Sequence, residues 1–347
     1  MANKILKIGD RKIGPKYPPL IIAEIGINHG GSLKKAKQMI KEAHQAGAEC
    51  VKFQAHVVED EMVSVAKKII PSHAEESIWD IMQKCAFSEE QDRELKKYVE
   101  SLGMIYLSTP FSRAGADRLQ KMKIKAFKIG SGECNNYPLI EHIASFGQPM
   151  ILSTGMNDLK SIKKSVEILK KYKIPHAILH CTSMYPVPYE KIRLGVLAEF
   201  QKTFPWAIIG LSDHSIGNHV CFGAVALGAS ILEKHFTANK KWSGPDIALS
   251  IDSRELRDLI IGSKAVWQAL GGEKNILPEE REIIKFAYAC VVSIKDIKKG
   301  GKFSKDNIWV KRPGTGEIKA IEYNKILGKE AAKSIKKDQQ LRYKDVK

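Results

Sequence analysis

Two lysines, Lys52 and Lys128, stand inside apolar runs rather than in the charged surface stretches of the chain. A lysine held there offers a point charge to an anion, or an amine for Schiff-base chemistry. The bland alternative is a rim lysine whose head simply reaches water. Small hydroxyls recur at the polar ends of similar runs, at Thr109, Ser131, Ser153, Ser183 and Ser212. Hydroxyls of this kind donate to phosphate oxygens, so the combination suits a phosphorylated, carboxylated small anion. His214 and His235 end consecutive runs, and paired imidazoles can share a divalent metal with positions left open for water and substrate. Glu233, on the same strand face as His235, reads as a third ligand or an orienting group. Glu24, Glu133 and Asp246 are candidate general acids or bases, with an internal ion pair as the plain alternative. His29, His56 and His180 are weaker candidates, and Cys134 and Cys181 read as packing thiols.

These residues must be positioned by the runs that carry them. Short apolar runs at 20–28, 50–56, 104–111, 126–132, 149–156, 176–186, 206–215 and 230–237 each end in a polar cluster. Strands buried on both faces need no polar alternation, so eight such runs read as eight parallel strands. Between them lie stretches of helical period such as 32–47, 158–172 and 253–271. Alternating strands and helices over about 250 residues match a (β/α)8 barrel, whose chemistry sits at the C-terminal strand ends. The rival doubly wound sheet would carry G-x-G-x-x-G after its first strand, which Gly26-Ile27-Asn28-His29-Gly30-Gly31 does not supply.

The remaining composition narrows the partners. The chain of 347 residues carries 56 Lys+Arg against 39 Asp+Glu, a net charge of +17, which points to an anionic partner. By charge alone that partner could be nucleic acid or a surface polysaccharide, but basic clusters interleaved with aromatics are missing and the polar residues gather at strand ends. No run is long enough to span a bilayer and the N-terminus has no apolar signal segment. Six scattered cysteines without a C-x-x-C pair are expected to be reduced, in a cytoplasmic protein. The expected organisation is a barrel over 1–273, a polar linker over 274–285 and a small β-rich module over 286–347. That last segment holds 16 lysines and arginines against 7 acids.

Several strings occur together and in order: AEIGINH from Ala23, KFQ from Lys52, STPF from Ser108 and KIGSGE from Lys128. They continue with STGM from Ser153, HCT from His180, GLSDH from Gly210, EKHFT from Glu233 and GPD from Gly244. This series resembles the bacterial sialic acid (N-acetylneuraminate) synthases, relatives of the legionaminate and pseudaminate synthases, and the tail resembles their SAF (antifreeze-like) domain. The resemblance implies condensation of phosphoenolpyruvate with N-acetylmannosamine, giving N-acetylneuraminate and phosphate with C–O cleavage. A 2,4-diacetamido-trideoxyhexose is the acceptor in the legionaminate or pseudaminate alternative.

Carried onto this sequence, the resemblance assigns phosphoenolpyruvate to Lys52, Thr109, Lys128, Ser131, Ser153, Ser183 and Ser212. It assigns the sugar to Gln54, Glu133, Tyr185, Asp246 and Arg312, and Mn²⁺ (or Mg²⁺ or Co²⁺) to His214 and His235. Glu24, Lys52, Lys128, Glu133 and Asp246 are its catalytic set. It further implies a domain-swapped homodimer, in which Arg312 reaches a neighbour's barrel mouth with help from Phe286 and Tyr288. Phe53 and Ser183 depart from the sialic acid pattern, which has His and Asn there, and so bear on the acceptor.

Overall fold

The computed structural model describes residues 4–71 and 75–347. The chain divides into two compact units, Met1–Gly271 and Gly272–Lys347.

The first unit opens with a hairpin, β1 (Leu6–Ile8) and β2 (Arg11–Ile13), paired antiparallel. Eight parallel strands follow: β3 (Leu20–Gly26), β4 (Cys50–Ala55), β5 (Ile105–Pro110), β6 (Phe127–Ile129), β7 (Met150–Ser153), β8 (His176–Cys181), β9 (Ile208–Asp213) and β10 (Ile231–His235). Their hydrogen-bonded order is β5-β4-β3-β10-β9-β8-β7-β6. The two end strands β5 and β6 pack against each other, so the sheet is a nearly closed barrel. Every strand is followed by a helix, from Leu33–Ala46 after β3 to Ser253–Ala269 after β10.

Local chemistry explains where these helices begin. Ser32, Ser112, Asn136 and Asp158 each accept a backbone N–H with the side chain at the N-cap. Ser88 and Asp252 add reciprocal capping boxes with Gln91 and Glu255. Each such cap contributes about 1 kcal/mol by satisfying donors that the first turn leaves unpaired. The buried stripe of Leu159–Lys171, formed by Ile162, Val166 and Leu169, faces the outer side of the barrel, with the lysines turned to water.

Side-chain alternation divides the barrel interior into two levels. Leu20, Ile22, Cys50, Leu107, Ala126, Ile151, Ala177, Leu179, Ile208 and Ile231 form an apolar lower plug, closed beneath by Leu6, Ile8 and Ile13 of the hairpin. Gly210 belongs to this level because a Cβ there would meet Ile231 O at 2.4 Å and a Leu179 methyl at 2.5 Å. Two residues further along each strand, period 2 delivers the next inward positions, and these are polar. The hairpin and its plugging role carry no signature in the sequence beyond three spaced apolar residues.

In the second unit β11 (Cys290–Ser293) pairs antiparallel with β12 (Ile308–Lys311). Val291, Ile297, Phe303, Ile308, Ile318, Ile326, Ala331, Ile335 and Leu341 make its separate core. A short helix, Arg281–Ala287, precedes β11 within the same unit.

Candidate active site

Above the plug the barrel mouth encloses a cavity of about 270 Å³. Glu24, Lys52, Gln54, Thr109, Lys128, Ser131, Ser153, Ser183, Tyr185, Ser212, His214, His235 and Asp246 all line it, together with Cys181 and Glu233. The strand parity is simple: Leu20, Ile22 and Glu24 share one face of β3, as Cys50, Lys52 and Gln54 do on β4 and Ile231, Glu233 and His235 on β10. The site is therefore one layer of the barrel, reached by adding two residues to each plug position.

At its floor two ammonium groups and two carboxylates interlock. Lys52 Nζ lies 2.9 Å from Glu24 Oε1, 3.7 Å from Glu233 Oε1 and 3.1 Å from Thr109 Oγ1. Lys128 Nζ lies 3.5 Å from the same Glu233 oxygen, which also accepts from Ser212 Oγ at 3.1 Å. All four charged side chains are buried. The two carboxylates diverge in acidity. Burial pushes Glu24 up to about 7, aided by the neighbouring Glu233 charge and opposed by Lys52. Burial acts on Glu233 too, but Lys128 and Lys52 together overcome it and hold that group at about 2. Burial also lowers Lys128, whereas Glu233 and Glu24 outweigh burial at Lys52 and raise it. Paired groups driven apart in this way mark a fixed charge and a proton carrier.

A hydroxyl cradle adjoins the lysines. Ser131 Oγ donates to Ser153 Oγ at 3.2 Å and accepts from the Gly155 N–H at 3.0 Å. A Cβ at residue 155 would come within 2.2 Å of Ser183 Oγ and 2.9 Å of Ser131 Oγ, so glycine keeps this concavity open. Ser183 Oγ is buried with no hydrogen-bond partner among the described residues. An oxyanion would supply the missing acceptor.

At the ends of β9 and β10 the rings of His214 and His235 lie 5.4 Å apart, and Tyr185 stacks on His214 at 4.2 Å. His214 Nδ1 lies 3.1 Å from Thr182 O and 3.9 Å from Cys181 Sγ, and burial opposes a rise in its pKa that Cys181 produces. Among the described residues His235 Nδ1 has no hydrogen-bond partner, and it stands 3.7 Å from Asp246 Oδ2. Among the described residues no cluster of three or more His, Cys, Asp or Glu side chains is arranged to hold a metal. The donor set that fits a metal here is thus two imidazoles, one with an orphaned nitrogen, and the remaining positions would fall to water and substrate oxygens.

Other candidates are placed elsewhere. Glu133 is not part of the cavity wall; its Oε2 accepts from Asn136 Nδ2 at 2.6 Å. Arg312, Phe286 and Tyr288 are exposed residues of the second unit. Phe53 points out of the barrel, fully buried and stacked on Tyr106 at 5.6 Å. Its departure from the sialic acid pattern therefore does not reach the cavity, whereas that of Ser183 does. His29 stacks on Phe87 at 4.2 Å and burial drives it down to about 3, as suits a neutral core histidine. His180 faces outward with Nε2 2.5 Å from Ile192 O. Cys134 is buried outside the wall, but Cys181, read as a packing thiol, does line it. A third buried lysine escaped sequence reasoning: Lys234, behind the wall, pairs with Asp213 at 2.6 Å. Its position one residue from His235, on the opposite strand face, was the available signal.

No helix among the described residues is long and apolar enough to cross a membrane. Comparison with known proteins supplies the lineage. Residues 39–275 match the NeuB family model and residues 288–347 the SAF domain model. The chain is 37% identical over 331 residues to the N,N'-diacetyllegionaminic acid synthase of Campylobacter jejuni, covering 93% of this chain and 98% of the relative. It is 34% identical over 337 residues to the human N-acetylneuraminate-9-phosphate synthase, covering 94% and 92%. The crystal structure of the sialic acid synthetase from Leptospira borgpetersenii, in complex with citrate, superimposes with a TM-score of 0.74 at 32% identity, covering 81% of this chain and 95% of that one. The chain is an enzyme of the NeuB synthase family, a (β/α)8 barrel followed by a SAF domain.

Proposed function

We propose that the enzyme condenses phosphoenolpyruvate with N-acetylmannosamine, giving N-acetylneuraminate and inorganic phosphate. The observation that carries this reading is the make-up of one cavity wall. Two buried lysines and a set of serine hydroxyls line the same cavity as a pair of imidazoles, Tyr185 and Asp246. Phosphoenolpyruvate brings a phosphate and a carboxylate, which match Lys52, Lys128, Thr109, Ser212 and the Ser131–Ser153–Ser183 cradle. Gln54, Tyr185 and Asp246 face the space left for the sugar.

In this account C3 of phosphoenolpyruvate attacks the open-chain aldehyde carbon, and the aldehyde oxygen takes up a proton. Water adds at C2 of the resulting cation and releases one. The tetrahedral intermediate then expels phosphate by breaking its C–O bond. Glu24, with a pKa near neutrality, exchanges the proton at the phosphoenolpyruvate end. Glu233 stays ionised and keeps both ammonium groups aimed into the cavity. His214 and His235 would hold a divalent cation, manganese foremost, whose contribution is Lewis-acid polarisation of the aldehyde oxygen.

A 2,4-diacetamido-trideoxyhexose is the second reading, favoured by the similarity to the Campylobacter enzyme over nearly the whole chain. Phosphate release from phosphoenolpyruvate and Mn²⁺ with each sugar in turn separates the two. Release with neither sugar overturns both.

A further inference from the structure

His56 lies just beyond β4, and its ring is buried rather than aimed into the cavity. It stacks on Phe111, with centroids 4.8 Å apart. Both ring nitrogens face oxygen atoms: Nδ1 is 2.8 Å from Glu61 Oε2 and Nε2 is 2.9 Å from Gln54 Oε1, an arrangement that the ring serves as an imidazolium, with one N–H donating to each oxygen and the Glu61 carboxylate as its counter-charge. Glu61 ends the short helix Val58–Glu61, which is tied to the first turn of the helix Arg113–Lys121 after β5 because Asp60 Oδ2 accepts the Ala114 N–H at 2.7 Å. The carbonyl end of the Gln54 amide is thus engaged by the imidazole. Its amino end faces the cavity and stands 3.5 Å from Glu24 Oε1.

A glutamine amide is nearly symmetric in shape but opposite in hydrogen-bonding sense at its two ends. A neighbour that engages one end decides what the other end offers. We propose that Glu61 and His56 are positioning residues that lock Gln54 as a donor, presenting its NH₂ group to the cavity beside Glu24. That donor selects a substrate carrying an acceptor oxygen, a hydroxyl or amide carbonyl, at this point. The inference rests on the reading of Gln54 as a sugar contact.

The test is a double-mutant cycle on the full-length protein with phosphoenolpyruvate, Mn²⁺ and N-acetylmannosamine or the diacetamido sugar, whichever the enzyme turns over. His56→Phe keeps the ring on Phe111 and removes both nitrogens. It is expected to raise KM for the sugar about tenfold while KM for phosphoenolpyruvate stays within about twofold. In the Gln54→Ala background the same replacement should add almost nothing, since His56 acts only through Gln54. Glu61→Gln serves as the second variant if His56→Phe does not fold, with a smaller shift in the same direction. Additive costs, or equal rises in both KM values, overturn the proposal. A crystal structure of His56→Phe reads the same point without turnover. Gln54 should leave its contact with Glu24 or spread over several rotamers, and an unchanged amide overturns the inference even if the sugar assignment stands. Absence of condensation by the wild-type protein sinks the proposed function instead.

Discussion

Glu233 presents a single carboxylate oxygen to two lysines, 3.5 Å from Lys128 Nζ and 3.7 Å from Lys52 Nζ. Of the two lysines, Glu24 pairs with Lys52 alone, at 2.9 Å. This unequal sharing is the physical reason that two buried glutamates in one cavity differ in acidity. Ionised Glu233 also raises the cost of a second negative charge on Glu24.

The first consequence concerns pH. Glu24 titrates at about 7 in the folded protein against an ordinary value of 4.5. Its folded pKa is raised, so the folded state binds more protons than the unfolded state between those values. Its contribution to stability is fully present below about 4.5 and is lost as pH rises through about 7. Glu24→Gln should flatten the fall in urea-measured stability across that window. An unchanged slope would show that Glu24 titrates normally.

The second concerns anion binding. If phosphoenolpyruvate binds beside Lys52 and Lys128, its negative charge favours the protonated form of Glu24, which burial holds near neutrality. Binding near pH 7.5 should therefore take up protons, seen by calorimetry as a dependence of heat on buffer ionisation enthalpy. Release of protons would contradict the assignment of these groups to the anion end.

The third concerns the wall behind the imidazoles. Lys234 Nζ meets Asp213 Oδ2 and Ser215 O, and Asp213 Oδ1 accepts the Ser215 N–H at 2.9 Å. This staple joins the ends of β9 and β10 next to His214 and His235. Lys234→Met strands a buried carboxylate and should cost about 3–5 kcal/mol in urea unfolding. Replacing Asp213 by Leu as well should recover most of it, whereas additive losses would count against the pair.

The fourth concerns assembly. If Arg312 serves the sugar end of a second copy's cavity, inactive Lys128→Met and Arg312→Ala proteins complement each other. Equal mixing with subunit exchange should restore about a quarter of wild-type turnover, from one intact site in each mixed dimer. No recovery in demonstrably mixed dimers would remove Arg312 from the site.

Much of this was legible in the sequence. The polar ends of eight apolar runs named the wall, because a barrel turns strand order into a ring of side chains at one mouth. The face that each residue takes was less legible, since strands buried on both sides are apolar on both. Lys52 points in and Phe53 out, and only the two-residue period from the plug tells them apart. That period fails at His56, because β4 ends at Ala55 and the chain turns. The period does not reach Glu133 either: a short 3₁₀ turn, Ser131–Glu133, follows β6, and its carboxylate accepts from Asn136. The charge sharing around Glu233 is a matter of ångströms between strands distant in sequence, and no spacing rule reports it.

The most direct test of the central claim is phosphate release on mixing the protein with phosphoenolpyruvate, Mn²⁺ and N-acetylmannosamine, run beside Lys128→Met. Lys128→Met removes an ammonium group from the anion end, and kcat/KM should fall by about 100-fold or more while the protein stays folded. Stoichiometric phosphate and N-acetylneuraminate from the wild type, with that loss in the variant, is the predicted result. Equal turnover by both proteins, or no phosphate from the wild type with any N-acetylated hexosamine, would contradict it.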